Sequence, residues 1–198
     1  MFHCNLQYQF PNAETLQIEF AMKQDDILHL KGSNACGKTT VFNLINGFLT
    51  PKTGVIELNN IVLFDSRLKI NIPAKNRNIG RVFQNHYLFP HMSVKKNLYF
   101  ANKNSALLTY LIEQLNLQPL LKKFPRNLSG GQQQKLAIVQ NLINNPQLLL
   151  LDEAFSNLDW QTKNTIKTVI LDSRIPTIIT THNNEDTENF TTKTVLLG

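Results

Sequence analysis

The turn KGSNACGKTT at residues 31–40 limits what this chain can become more than any other stretch. Before it, Ile27-Leu28-His29-Leu30 has the apolar density of a short strand. After it, Val41, Leu44, Ile45 and Phe48 recur at helical spacing. From Gly32 to Thr39 the turn fits G-x-x-x-x-G-K-[ST] between that strand and that helix. In such a place glycines let backbone N–H groups curl around an anion, and the helix N-terminus adds partial positive charge. Lys38 is positioned to reach the β/γ-phosphates of a nucleotide, and Thr39 to offer its hydroxyl to Mg²⁺.

The 198 residues suffice for one sizeable domain, and 42% hydrophobic content gives it a core. No apolar run approaches the ~20 residues that cross a bilayer. Met1-Phe2-His3-Cys4 is not the basic-then-apolar start of a signal peptide, so the cytoplasm is the expected compartment. Cys4 and Cys36 are too few for a disulfide framework or a metal-ligand cluster. The net charge of +6 is dispersed over a chain only 17% charged, and it selects no partner by itself.

Coarse patterning predicts strands over 2–10 and 14–20, split by Pro11-Asn12, and a strand pair over 54–64 around Asn59-Asn60. Another strand runs from Asn78 to Phe83. Leucine spacing between 93 and 127 is helical, with Pro119 and Pro125 as punctuation. A helix is predicted from Ser129 to about Asn144, a buried strand at Leu148–Leu151, a helix over 160–172, and strands at 177–180 and 195–197. Strand–helix alternation predicts a single α/β domain over 1–198, with a helical insert at about 86–143 and no second domain.

Two further motifs carry chemistry. LLLLDEA at 148–154 buries a strand and sets two carboxylates at its carboxyl end, where open α/β sheets place ligands. Asp152 suits a Mg²⁺ shell. Glu153, read as pointing away from Asp152 along the strand, is free to polarise a water. LSGGQQQK at 128–135 spends two glycines at a helix start, each costing ~1 kcal/mol relative to alanine within a helix. No structural need for them is visible in the sequence, so Ser129, Gly130, Gly131 and Gln132 are assigned to a second anion-binding surface.

With these motifs in order, the chain resembles the ATP-binding cassette (ABC) ATPases over nearly its whole length. The phosphate loop, Gln84 within VFQNHYLFPHMSV, LSGGQ, LLLLDE, SNLD at 156–159 and TTH ending at His182 carry the resemblance. It implies a P-loop NTPase (RecA-like) core with an N-terminal antiparallel β-subdomain and an inserted α-helical subdomain. It also implies a homodimer that sandwiches two ATP molecules between one subunit's phosphate loop and the other's signature segment. Gly32, Ser33, Asn34, Ala35, Cys36, Gly37, Lys38, Thr39 and Thr40 would hold phosphates, and Thr39, Asp152 and Gln84 the Mg²⁺ and its waters. Glu153 would be the general base, His182 would touch the γ-phosphate, and Asp159 would link the two sites. Phe10, with Tyr8 second, is the expected adenine-stacking aromatic.

Three departures stand out. Ala35 replaces a frequent glycine, where a methyl is expected to be tolerated. Ala154 replaces a common proline, and Lys135 and Gln140 replace favoured arginines. None removes a catalytic group. Residues 71–100 resemble the molybdate-importer branch most, which implies transmembrane permease subunits and, indirectly, an extracytoplasmic binding protein. Nucleic acid is not an expected partner, and soluble or exporter-type ATPases are the alternative. Phe83, Tyr87, Leu88, Phe89, Pro90, Met92, Leu98 and Phe100 are candidates for an apolar groove that receives a permease helix. The expected location is the inner face of the membrane, held there by the permease.

Overall fold

The computed structural model describes residues 1–12, 14–83, 88–101, 106–188 and 190–197. Strands β1 (Phe2–Gln9), β2 (Thr15–Met22), β4 (Thr53–Leu58), β5 (Ile61–Asp65) and β6 (Ile70–Asn71) form an antiparallel sheet in the order β2-β1-β4-β5-β6. A second, parallel sheet joins β3 (Ile27–Gly32), β7 (Ile79–Val82), β8 (Leu148–Asp152), β9 (Thr177–Thr180) and β10 (Lys193–Leu197) in the order β10-β3-β9-β8-β7. The helices are α1 (Lys38–Asn46), α2 (Val94–Ala101), α3 (Ala106–Gln114), α4 (Gly130–Ile143) and α5 (Trp160–Ser173).

The run of leucines in β8 explains how the layers hold together. Side chains alternate across a strand, so Leu148 and Leu150 enter one core and Leu149 and Leu151 the other. The first core packs α1 and the antiparallel sheet, through Phe2, Leu6, Ile18, Phe42 and Ile56. The second packs α4, α5 and the helices of the insert, through Leu98, Leu111, Ile138 and Ile166. In β2 the demand is met on one face only, and exposed and buried residues alternate strictly from Thr15 to Met22. The fold is that of a P-loop NTPase carrying the expected antiparallel β-subdomain.

Turn chemistry is supplied largely by asparagine. The chain has 24 asparagines and 8 glycines, and Asn59, Asn60, Asn78, Asn116 and Asn145 all take the left-handed conformation. After glycine, asparagine enters that region at least cost. Asn59 and Asn60 together make the two-residue β4–β5 hairpin, whose twist needs positive φ at both positions.

A buried cation ties the layers at the end of α1 remote from the phosphate loop. Arg77, 1% exposed, donates from Nη1 to the carbonyls of Leu44 (3.0 Å) and Ile45 (2.7 Å) at the end of α1. Its Nη2 donates to Asn71 Oδ1 at 2.9 Å on β6. The negative end of the helix dipole and two terminal carbonyls thereby receive a positive partner.

Candidate functional site

The carboxyl ends of β3, β9 and β8 are neighbours in the sheet, and the residues that follow them meet there. Past β3 the chain turns into α1 with Gly37 at the N-cap, at φ 103°, a conformation open to glycine but strained for other residues. Lys38 Nζ donates to the carbonyls of Gly32 and Ser33, both at 2.8 Å, and fixes the curl of the loop. Past β8, Glu153 leaves the strand; past β9 comes His182. Asn34, Ala35, Gly37, Lys38, Thr39, Thr40, Glu153 and His182 line one cleft of about 220 Å³.

Asp152 sits at the floor of this arrangement, largely buried. Its Oδ1 accepts from Thr180 Oγ1 at 2.9 Å, and its Oδ2 lies 3.4 Å from Thr39 Oγ1. Glu153 Oε1 and His182 Nε2 are 3.1 Å apart. Glu153 adopts φ 49°, and its N–H is held by the carbonyl (3.1 Å) and the hydroxyl (3.2 Å) of Thr180. The strand-alternation reading of Glu153 is therefore corrected. It has left β8, and a left-handed turn turns its side chain toward the cleft. Strain of this kind costs about 1–3 kcal/mol and persists where neighbours over-determine it.

Ala35 also has positive φ, 63°. The methyl fits, but the backbone bears a cost that glycine would avoid. An adjoining cleft of about 830 Å³ is lined by Phe10, Ala35 and Cys36, among others. The Phe10 ring lies against Gly37 and meets Tyr8 edge-on at 5.2 Å. Tyr8 is absent from that lining.

The signature segment stands apart and lines neither cleft. Ser129 Oγ accepts from Gln132 N (3.3 Å), and Gln132 Oε1 accepts from Ser129 N (3.2 Å), which is a capping box. A Cβ on Gly131 would collide with the Asn157 carbonyl, whereas one on Gly130 would meet nothing within 4 Å among the described residues. The expectation of no structural need is thus corrected for Ser129, Gly131 and Gln132. Only Gly130 remains without a local reason. Asp159 caps α5, accepting from Thr162 N (2.8 Å) and Thr162 Oγ1 (2.7 Å), and these bonds hold its carboxyl below the ordinary carboxylate range.

Gln84 lies outside the described residues, as does Tyr87 of the apolar groove. Of the other groove candidates, Leu98 is fully buried in the core, a correction to its groove role, and Leu88 packs against that core. Phe89 (37% exposed) and Phe100 (67% exposed) do form a surface pair, edge-on at 5.1 Å. Asn97, 1% exposed on α2, pins the loop that carries Phe89 by donating to the carbonyls of Phe89, Met92 and Ser93.

Two polar residues that the sequence reading passed over also serve the site. Gln134, 1% exposed on α4, donates to the Glu153 carbonyl at 3.1 Å and accepts from Asn157 N at 3.3 Å. Arg81 on β7 pairs with Asp152 at 3.1 Å. For Arg81 the signal was a charged side chain inside the apolar segment 79–83, a placement that needs partners; Gln134, within the polar run 132–135, gave none.

A phosphate loop at the end of a central parallel strand, facing an Asp on a nearby strand, defines the P-loop NTPase class. Within it, the ABC transporter family model matches residues 16–156, and the chain belongs to that family. It is 39% identical over 184 residues to a molybdenum import ATP-binding protein of Vibrio parahaemolyticus, covering 89% of this chain and 50% of that protein. It is 34% identical to an Fe(3+) ions import ATP-binding protein of Haemophilus influenzae, over 98% of this chain and 58% of the relative. The chain thus spans about half the length of the curated relatives it matches. Among solved structures, an ATP-binding subunit of an ABC transporter superposes with TM-score 0.84 at 22% identity, covering 99% of this chain and 85% of that one. A dimeric post-hydrolysis ATP-binding cassette bound to ADP and Pi gives TM-score 0.80 at 23% identity, covering 100% and 94%. These two share the fold.

Proposed function

We propose that this chain binds and hydrolyses MgATP, and that two copies enclose two nucleotides to energise a membrane permease. The observation that carries the reading is the convergence of Lys38, Thr39, Glu153 and His182 in one cleft, above Asp152. Loop N–H groups and Lys38 hold phosphates; the Phe10 cleft takes the base. The donor set fits Mg²⁺, because the groups at hand are oxygens: the Thr39 hydroxyl and one Asp152 carboxylate, with phosphates completing the shell. When bound, Mg²⁺ would neutralise charge that develops on the phosphates, with Thr39 and Asp152 as the residues to hold it.

Glu153 is the base that accepts the attacking water's proton, held in place through Thr180 and Gln134. His182 steers it. A neutral imidazole has one N–H, and a carboxylate and a phosphate oxygen are both acceptors. His182 therefore serves either Glu153 or the nucleotide unless it is protonated. The second phosphate surface at Ser129–Gly130 acts on the nucleotide of the other copy, and Asp159 with the exposed Trp160 lies at that interface. Phe89 and Phe100 belong to the surface offered to the permease. Both relatives are named for import, and the molybdenum import relative supports a molybdate-like anion as cargo, which an extracytoplasmic binding protein would deliver. In that assembly the chain sits at the inner face of the membrane.

Glu153→Gln tests the chemistry. This variant should bind MgATP and accumulate as a dimer in light scattering, while turnover falls by ~10²–10⁴-fold. Near-normal steady-state turnover would remove Glu153 from the role of base.

A further inference from the structure

We propose that Arg81 is a built-in counter-ion for Asp152 and thereby sets how strongly nucleotide binding depends on Mg²⁺; the inference rests on the MgATP reading above. Arg81 lies on β7 beside β8, in register with Leu150, two residues before Asp152. Its Nη2 is 3.1 Å from Asp152 Oδ2, and the two side chains are 2% and 9% exposed. Its Nη1 donates to Asn43 Oδ1 on α1. The guanidinium lies over the rings of Phe83 (4.4 Å to the centroid) and Phe42 (5.6 Å). A group gripped on several sides, and always charged, is a fixed positive charge.

The geometry makes Asp152 a shared carboxylate. Oδ1 is taken by Thr180, and Oδ2 faces both Arg81 and Thr39. Buried charges interact with little screening. Two consequences follow. The carboxylate is neutralised and oriented by the chain itself, with no demand on a metal. A divalent cation arriving on the Thr39 side also meets the repulsion of Arg81, so it adds less to nucleotide retention than it would beside an uncharged residue. Arg81 is thus a positioning residue that acts on the metal shell through Asp152.

The test compares ADP affinity in EDTA with ADP affinity in Mg²⁺, by calorimetry on the full chain. Arg81→Met keeps a long apolar side chain against Phe83 and Phe42 but removes the charge. Its Mg²⁺ enhancement of ADP binding should exceed that of the unmodified chain by on the order of ten-fold. Arg81→Lys, which keeps the charge, should retain the unmodified enhancement. A role in packing alone would leave the enhancement unchanged in Arg81→Met, and that result, or a fall, overturns the proposal. If Arg81→Met does not fold, Arg81→Gln replaces it. If neither folds alone, refolding with MgADP but not with ADP and EDTA supports the proposal; equal rescue or no rescue overturns it. Failure of the unmodified chain to bind ADP in either buffer would instead defeat the MgATP reading.

Discussion

The phosphate loop and the start of α4 are both glycine-bearing helix N-termini, yet they are finished differently. Around the loop, side chains from three strand ends converge, and the loop's lysine is held by its own carbonyls. At α4 the serine and glutamine cap each other, and no acidic or basic group of the described chain joins them. The first surface is met by titratable groups of its own chain, Glu153 and His182. The second is a folded edge whose one unexplained feature, Gly130, faces open space. Helix N-termini alone do not make a reaction centre; convergent charged groups do. On the proposed reading, the second surface obtains those groups from another copy.

The largest effect expected from this contrast is in mixing. Lys38→Ala and Ser129→Arg chains should each fail to close around nucleotide when alone. In a mixed dimer one composite site carries both defects and the other carries none. Trp160 emission in a Glu153→Gln background should then report closure under MgATP. If Ser129→Arg alone hydrolyses ATP normally, the shared site is wrong.

The two signature glycines should separate next. Gly131→Ala must push the Asn157 carbonyl aside and should lower unfolding free energy by about 1–3 kcal/mol in denaturant titration. Gly130→Ala meets nothing within 4 Å among the described residues and should fold as well or better, by up to ~1 kcal/mol. Its ATPase rate should nevertheless drop, because the partner's nucleotide would need that space. Higher stability with undiminished turnover would leave Gly130 without a role at the interface. The smallest effect belongs to the loop. Ala35→Gly should relieve the backbone at φ 63° and gain about 0.5–1 kcal/mol in thermal unfolding, offset in part by glycine's entropy.

Much of this was legible in the sequence, for identifiable reasons. β8 and α1 announce themselves, since a burst of leucine and a glycine-rich loop before an amphipathic helix have few alternative structures. Two-residue β6 carried no periodic signal, because its pairing with β5 is decided by a turn and not by side-chain pattern. Lys38, Asp152, Glu153 and His182 were readable as a set because each lies at or beyond the carboxyl end of a strand. Glu153's direction was not, since its left-handed backbone depends on Thr180 from a strand 27 residues away in the chain. Arg81 and Gln134 escaped because their partners are set by sheet order and helix packing, which local pattern does not encode.

The alternating leucines of β8 have a mechanical consequence. A single strand serves as the common wall of two compartments, one roofed by the antiparallel sheet and one by the helices. Close-packed interiors yield little, so such a wall moves as a beam and does not flex on one side alone. Asp152 and Glu153 stand at its end. On the proposed reading, a displacement imposed there by nucleotide would be delivered to both compartments at once, and the helical side would shift as a block without a dedicated hinge in the strand.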